Sequence, residues 1–258
     1  MTSASRRKQR SGPEGPLPSI SEHDGVRYLH LGGTVWVQGG MRLRAPSRIE
    51  LEYVRRMMAW LLLRDGRRIT GAHAVQLGLG AGAITRYCLR VLGMRCTAVE
   101  VNPLVVRACQ AWFHLPFDTD DCRAEVADAA AWLADPAHAG SADVLCVDLY
   151  DEQAAGPVHD AADFYAACRE VLADDGIFTV NLFGRDARFE RSLERIVAAF
   201  GAGRVARIEP TAEGNAVVLA WRGFDFPSAA TLARRAANID TRFGLPAARW
   251  LPLLHPIE

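Results

Sequence analysis

The sequence contains no apolar run close to the roughly 20 residues that a membrane-spanning helix needs. Its amino terminus carries charges but has no apolar signal core behind them. We therefore expect a soluble, cytoplasmic protein with no membrane partner. An excess of charge is also missing, because 30 basic side chains balance 30 acidic ones. Net charge thus favours neither a nucleic acid nor an anionic membrane as partner, so any selectivity comes from a local site.

Cysteine and histidine spacings that are typical of redox or metal sites are missing as well. The six cysteines are widely spaced, contain no C-x-x-C pair, and lie mostly in apolar stretches. We interpret them as reduced core residues of a cytosolic protein. The seven histidines contain no H-E-x-x-H motif. We therefore expect no metal site.

Half of the 258 residues are hydrophobic, which is enough for one substantial core and a small appendage. We expect a disordered basic tail over residues 1–18, because this segment is polar and rich in proline and glycine. A small β-rich segment with a helix is expected over 19–70 and an α/β domain over 71–222. A helix and an apolar tail follow over 223–258, and this tail either packs back on the domain or forms a subunit contact.

The α/β domain is predicted from alternating strand and helix signals, which indicate a parallel sheet covered on both faces. The predicted strands lie at 74–77, 96–99, 144–147 and 177–180, and the predicted helices at 103–113, 161–172 and 186–200. Two later runs, 204–208 and 216–221, resemble an antiparallel hairpin that closes the sheet.

The flanking segments carry their own signals. Residues 25–41 alternate apolar and polar side chains around Gly32 and Gly33, which predicts a β-hairpin. Ser47 and Glu50 have the capping-box spacing at the start of a predicted helix over 48–63. Ser228 is expected to cap a last helix that ends near Asp240.

A glycine-rich turn follows the first predicted strand of the domain. Gly78, Gly80 and Gly82 alternate with other residues between an apolar run and helix-compatible sequence. Glycine lets the main chain approach a ligand closely, and the first amides of a helix offer unpaired donors. Such a turn is equally compatible with a purely conformational role. Glu100 favours the ligand-binding interpretation, because it follows the next apolar run at about the spacing of a ribose-binding acid.

Three more acidic residues are expected at the same edge of the sheet, where open α/β sheets bind ligands. Asp128 follows a short third strand and either accepts from the amino group of a base or caps a helix. Asp148 directly follows residues 144–147, and Asp151 lies three residues further on. Two such carboxylates share a proton, bind a cation or are solvated. Their alternative role is that of turn formers and helix caps.

Several short motifs occur together in one order along the chain. They are Gln38 after VWV, Glu50 and Tyr53 in RIELEY, the glycine turn, Glu100, Asp128, the run Asp148-Leu-Tyr-Asp151, Gly156-Pro157 and Asp163-Phe164-Tyr165. With these motifs, the chain from about Gly25 to Trp221 resembles the polyamine aminopropyltransferases, typified by spermidine synthase. This family lies within the wider class I S-adenosylmethionine-dependent methyltransferase fold.

The resemblance implies a doubly wound, mostly parallel α/β sheet of seven strands, similar to a Rossmann fold, with a small amino-terminal β-hairpin and helix. Residues 71–222 would be the nucleoside-binding catalytic domain. The implied reaction moves the aminopropyl group of decarboxylated S-adenosylmethionine to putrescine or a related polyamine and releases methylthioadenosine. No tightly bound cofactor is implied beyond this co-substrate. A homodimer is left open.

The resemblance also implies roles for individual residues. Asp148 would be the general base, Asp151 would help to hold the diamine, and Tyr53 would line the active site. The remaining implied contacts are to the nucleoside: Gln38 and the backbone of Gly78, Gly80 and Gly82, with Glu100 on the ribose and Asp128 on the base.

The chain departs from the family pattern at the amine end of the implied site. Ala81 stands where the family has an aspartate that contacts the aminopropyl group. Val54 and Arg55 replace the usual His and Glu after the tyrosine, and the loop after Asp151 is longer. Two alternatives therefore stay open, namely a methyltransferase that uses S-adenosylmethionine itself and a catalytically silent nucleoside-binding homologue.

Overall fold

An eight-stranded sheet organises the computed structural model, which describes residues 15–32, 37–150, 159–183 and 188–258 of the chain. The strands in these ranges are β1 (Pro18–His23), β2 (Val26–Leu31), β3 (Val37–Arg42), β4 (His73–Leu77), β5 (Arg95–Glu100), β6 (Cys122–Val126), β7 (Ala142–Val147), β8 (Leu172–Phe183), β9 (Val205–Ile208), β10 (Asn215–Trp221) and β11 (Leu254–Ile257). The α-helices are α1 (Glu52–Met57), α2 (Ala83–Arg90), α3 (Pro103–Trp112), α4 (Ala129–Leu133), α5 (Ala162–Val171), α6 (Phe189–Phe200) and α7 (Ala229–Phe243).

The large sheet has the strand order β11-β9-β10-β8-β7-β4-β5-β6. The five strands from β8 to β6 in this order run parallel, while β10, β9 and β11 each pair antiparallel with their neighbour. Alternate residues of β4 enter separate cores on the two faces, with Ala74 on one and Val75 on the other. The predicted fold class and the closing hairpin are confirmed.

The sheet has eight strands rather than the expected seven, because the apolar carboxyl-terminal tail adds one. Leu254 pairs with Ile208 and Ile257 pairs with Val205, so β11 covers the free edge of β9. Pro256 is compatible with this position, since an outermost strand does not need every amide for pairing. The tail therefore packs back on its own domain.

The amino-terminal segment forms a three-stranded antiparallel sheet instead of a single hairpin. Asp24 and Gly25 form the turn between β1 and β2 and both have positive φ, 50° and 73°. Gly33, at the predicted turn, lies outside the described residues. Pro18 begins β1, and the carbonyl of Pro16 accepts a hydrogen bond of 2.8 Å from Nδ2 of Asn102. The end of the predicted tail is thus attached to the domain, while residues 1–14 lie outside the description.

The predicted helix over 48–63 is shorter than expected and lacks its capping box. Helix α1 spans Glu52–Met57, and the chain continues as a buried 3₁₀ turn over Met58–Leu62. Glu50 instead accepts a 3.0 Å hydrogen bond from Nε of Arg42. A hydrogen bond between two charged groups is stronger than one to a neutral amide, which explains why the cap does not form.

The other predicted helices are confirmed as α3, α5 and α6, with ends that differ by a few residues. Ser228 caps α7 by accepting from the amide of Thr231, as predicted, but the helix runs past Asp240 to Phe243. Gly244 ends it in the left-handed conformation.

All six cysteines are buried and unpaired. In the described part of the chain, no helix is long and apolar enough to cross a bilayer.

Candidate active site

The carboxyl ends of the parallel strands open on a cavity of about 890 Å³, a volume typical of small-molecule sites. The sequence-predicted site residues that line it are Gln38, Tyr53, Gly78, Gly80, Glu100, Asp128 and Asp148. The parallel sheet explains the convergence of the residues that follow its strands, because these strands end at the same edge. Gln38 and Tyr53 reach the cavity from outside this sheet, on β3 and α1. Asp151 and Glu152 lie outside the described residues.

Gly78 and Gly80 bring the turn after β4 very close to two other segments. Both have positive φ, 83° and 51°. A Cβ at Gly78 would overlap with the carbonyl oxygen of Asp148, and one at Gly80 would lie 2.6 Å from the carbonyl oxygen of Gln38. Glycine at these two positions therefore lets the turn approach the main chain of Asp148 and Gln38 closely. It also leaves main-chain atoms of the turn open to a ligand.

Gly82 and Ala81 lie in the same turn but are not among the described residues that line the cavity. Gly82 is the N-cap residue that precedes α2 and has the left-handed conformation, and a Cβ there would overlap with Leu115. Ala81 is only 2% exposed. A Cβ added at Gly39 would lie 2.7 Å from the Cβ of Ala81, so the two segments are packed closely. Packing, rather than a ligand, accounts for the small residues at these two positions.

Glu100 is held rigidly at the end of β5 by main-chain amides. Its Oε2 accepts from the amide of Leu79 at 2.9 Å, and its Oε1 accepts from the amide of Asn102 at 2.9 Å. Burial raises the pKa of this carboxyl, and the amide hydrogen bonds oppose the shift. Because each carboxylate oxygen has more than one lone pair, Glu100 keeps acceptor capacity for a ligand hydroxyl.

Asp128 both caps a helix and lines the cavity, so the two predicted roles do not exclude each other. Its Oδ1 accepts from the amide of Ala131 at 3.0 Å, and its Oδ2 lies 3.2 Å from Nε2 of His159. The amide of Ala131 makes the largest contribution to a lowered pKa of Asp128, and His159 adds to it. His159, which stacks on Phe164, also lines the cavity.

Asp148 follows β7 and receives two hydrogen bonds inside the cavity. The hydroxyl of Tyr53 donates to its Oδ2 at 3.2 Å, and Nδ2 of Asn181 donates to its Oδ1 at 2.9 Å. Burial raises the pKa of Asp148, while the donors from Asn181 and Tyr53 oppose this shift. The arrangement leaves a partly buried carboxylate with oriented oxygens and no direct cationic partner among the described residues.

Tyr53 reaches Asp148 because α1 packs against β8 and β10, next to the end of β7. Burial raises the pKa of the Tyr53 phenol well above its usual value, and the Asp148 carboxylate raises it further. The phenol is thus a hydrogen-bond donor throughout the neutral pH range. It therefore orients the Asp148 carboxylate without neutralising its negative charge.

The cavity wall is acidic. Its carboxylate side chains are Glu50, Glu52, Glu100, Asp128, Asp148 and Glu213, and the described lining contains no Lys or Arg. Two of these carboxylates form salt bridges with arginines that do not line the cavity, Glu50 with Arg42 and Glu52 with Arg56. The remaining negative charge favours a cationic ligand.

Asn181, Asn215 and His159 line the site but were not among the sequence-predicted residues. Asn181 had a usable signal, because it directly follows the apolar run 177–180, just as Asp148 follows 144–147. Asn215 and His159 follow no such run.

Within the described ranges, no three His, Cys, Asp or Glu side chains are grouped so as to hold a metal ion.

Comparison with curated proteins identifies relatives over most of the chain. No protein-family model matches it. The polyamine aminopropyltransferase of Neisseria meningitidis serogroup B is 34% identical over 238 residues, which cover 92% of this chain and 88% of the relative. That of Chromobacterium violaceum is 33% identical over 245 residues, with 93% and 90% covered. The chain belongs to the polyamine aminopropyltransferase family. The predicted resemblance of the chain to this family of transferases is confirmed.

Solved structures support the fold. A probable spermidine synthase from Corynebacterium glutamicum has a TM-score of 0.67 at 20% identity, covering 85% of this chain and 83% of its own. Human methyltransferase-like protein 13, in complex with SAH, has a TM-score of 0.67 at 20% identity, covering 76% and 93%. A spermidine synthase in complex with the transition-state analogue AdoDATO has a TM-score of 0.58 at 17% identity, covering 89% of both chains. The chain therefore has the same fold as these three solved structures.

Proposed function

We propose that the protein transfers the aminopropyl group of decarboxylated S-adenosylmethionine to putrescine or a related polyamine. The observation that carries the proposal is the Asp148 carboxylate, oriented by Tyr53 and Asn181 in an acidic cavity of a chain that belongs to the aminopropyltransferases. Both substrates of this reaction are cations. A wall of carboxylates attracts them.

In the proposed reaction, the acceptor nitrogen attacks the propyl carbon next to the sulfonium of the donor. The new N–C bond forms as the C–S bond breaks, and the electron pair of that bond leaves with sulfur as neutral methylthioadenosine. Asp148 accepts the proton that the acceptor ammonium must lose before its nitrogen can attack, which makes Asp148 the general base. A carboxylate about 4 Å from an ammonium contributes on the order of 4 kcal/mol of attraction near a protein surface. Asp148 thus binds the amine as well as deprotonating it.

The nucleoside half of the donor has matching partners in the same cavity. We propose that Glu100 accepts from the ribose hydroxyls, because its position is fixed by the amides of Leu79 and Asn102. Asp128 and Gln38 are proposed to contact the base and the sugar, and the main chain at Gly78 and Gly80 to pack against the donor. Gly82, which faces Leu115, is proposed to act only by shaping the turn.

Two acidic residues are proposed to contribute to the amine half of the site. Glu52 lines the cavity beside Tyr53 and is proposed to supply acidic character that Ala81 does not, although Arg56 lies 3.1 Å from it. Asp151 is proposed to hold the far end of the acceptor.

The test is a turnover assay with purified protein, decarboxylated S-adenosylmethionine and a panel of amines, with methylthioadenosine as the readout. We expect release of methylthioadenosine with at least one di- or polyamine. Asp148→Asn should lower the rate by about 10² to 10⁴, the usual contribution of a general base. Thr179→Val serves as the control, because Thr179 is fully buried in β8 and does not line the cavity. No turnover with any amine would contradict the proposal.

A methyltransferase that uses S-adenosylmethionine itself is the second candidate. Ala81, which lacks the carboxylate expected for an aminopropyl contact, favours it. The acidic wall opposes it, because the amino-acid carboxylate of that donor would meet no Lys or Arg in the described lining. Calorimetry with both nucleosides separates the two candidates. We expect tighter binding of the decarboxylated form, whereas a silent homologue would bind a nucleoside without any turnover.

A further inference from the structure

Two asparagines form a hydrogen-bonded chain that ends on Asp148. Nδ2 of Asn181 donates to Oδ1 of Asp148 at 2.9 Å, and Nδ2 of Asn215 donates to Oδ1 of Asn181 at 3.1 Å. Asn181 lies near the end of β8 and is only 3% exposed, while Asn215 begins the neighbouring strand β10. The antiparallel register pairs Asn181 with Val217 and Asn215 with Phe183, which brings the two amides together.

The chemistry of these groups admits one direction for the chain. An ionised carboxylate only accepts hydrogen bonds, so Asn181 must present its amino group to Asp148. Its oxygen then faces Asn215, which supplies the matching donor. A rotated Asn181 amide would place oxygen against oxygen at Asp148 and nitrogen against nitrogen at Asn215. Asn215 therefore stabilises the one orientation in which Asn181 holds the carboxylate.

The main chain of Asn181 is held as well. The hydroxyl of Tyr150 donates to its carbonyl oxygen at 2.9 Å, and the Tyr150 ring packs edge-on against Phe183 with centroids 5.2 Å apart. Asn181 is thus anchored at both its backbone and its side chain. This degree of anchoring fits a group that must keep a neighbour in place.

A neutral donor has a specific advantage at this position. An Arg or Lys beside Asp148 would compete with a cationic substrate for the carboxylate and would cancel its charge. An amide orients one oxygen and leaves the negative charge available. Tyr53 does the same for the other oxygen, at 3.2 Å. Both side-chain donors that the described residues supply to Asp148 are neutral, which suits a site for an ammonium group.

We propose that Asn181 is a positioning residue that aims the Asp148 carboxylate into the cavity, and that Asn215 holds Asn181 in the orientation needed for this. The role of the carboxylate as base rests on the proposed function, whereas the positioning of the carboxylate itself does not. Asn181 stabilises the ionised form of Asp148 by donating to it, and this opposes the effect of burial.

Other titratable groups lie near this carboxylate. Tyr53 faces it from α1, Cys146 precedes it on β7, and Tyr150 follows it in the chain. Among the described residues, the further acidic groups that line the cavity are Glu50, Glu52, Glu100, Asp128 and Glu213. Asn181 contacts the carboxylate from β8, and Asn215 contacts Asn181 from β10. Both asparagine side chains are neutral. Substituting either of them therefore changes no charge, so a change in the titration of Asp148 reports a lost hydrogen bond.

The first test needs no turnover. The Asp148 carboxyl is titrated by ¹³C NMR in the full chain, with its signal assigned by its loss in Asp148→Asn. In Asn181→Leu we expect the midpoint to rise by about one pH unit or more, because a hydrogen bond to the charged form is lost. Asn215→Ala should give a smaller rise, since its amide partner stays but gains freedom to rotate. Thr179→Val, two residues earlier on β8, should leave the midpoint unchanged.

The second test uses the pH dependence of kcat in the turnover assay. The acidic limb of the profile should move upward in Asn181→Leu by the same interval as the NMR midpoint, with a smaller change in the KM for the nucleoside. A merely structural effect would lower kcat equally at every pH. An unchanged Asp148 midpoint in both Asn181→Leu and Asn215→Ala would overturn the proposal. If the wild type turns over no amine, the proposed function fails, while the NMR titration still decides the positioning role.

Discussion

The phenol of Tyr53 donates a 3.2 Å hydrogen bond to Oδ2 of Asp148, across 95 residues of sequence. Helix α1 supplies the tyrosine and the end of β7 supplies the carboxylate. This contact joins the small amino-terminal segment to the α/β domain at the point where the proposed chemistry takes place. It also means that the Asp148 carboxylate is oriented by a residue outside the large sheet.

Tyr53→Phe should reduce kcat and shift the acidic limb of its pH profile upward. Removing a donor to a carboxylate disfavours the ionised form, so the pKa of Asp148 rises further above its usual value. The loss of one hydrogen bond to a charged group corresponds to about 1.5–3 kcal/mol. Tyr87→Phe is a matched control, because its hydroxyl donates to the carbonyl of Phe243 and it does not line the cavity. A profile that keeps its limb in Tyr53→Phe would contradict the assigned hydrogen bond.

Glu100→Gln should weaken nucleoside binding and lower stability together. A glutamine presents one amino group where the carboxylate accepts from the amide of Leu79 or Asn102, so one main-chain donor loses its partner. This costs about 1–3 kcal/mol of folding free energy. Calorimetry with methylthioadenosine and thermal unfolding measure the two effects. Glu170→Gln, on the exposed surface of α5, should change neither value.

Gly78→Ala should abolish most activity, whereas Gly71→Ala should affect stability alone. Both glycines have similar positive φ, 83° and 77°, so an alanine costs about 1 kcal/mol or more of backbone strain at each. Only the Cβ at residue 78 would overlap with the carbonyl of Asp148, while nothing lies within 4 Å of one at residue 71. Turnover and chemical denaturation of both variants test this. Equal loss of activity in the two would show that strain, rather than displacement of Asp148, is responsible.

Asp148→Asn should unfold at the same or a higher temperature than the wild type at about neutral pH. Burial raises the pKa of Asp148 in the folded state, so the folded chain binds its proton more tightly than the unfolded chain does. The resulting stabilisation is complete below the unfolded pKa and is lost as the pH rises through the folded value. Asparagine avoids this loss. Thermal melts over a pH series should therefore show an advantage for Asn that shrinks on acidification, and a variant less stable at neutral pH would contradict it.

The order of strands and helices and the edge that carries the cavity could be predicted from the sequence. Apolar runs such as 144–147 are buried on both faces of a parallel sheet, so they stand out without reference to any partner. The residue after each run must lie at the carboxyl edge, and this rule selects Glu100 and Asp148. The same rule also selects Asn181, which follows 177–180.

Only the tertiary structure decided what each of these residues contacts. Glu50 has the spacing of a helix cap, but Arg42 comes close enough to pair with it instead. The sequence of the apolar tail is compatible with packing on the domain or with a subunit contact. In the structure it pairs with the edge of β9 as an eighth strand. Spacing places Gly82 in one group with Gly78 and Gly80, yet Gly82 faces Leu115. Local periodicity determines which residues form each element, whereas long-range packing and the competition between hydrogen-bond partners determine which side chains meet.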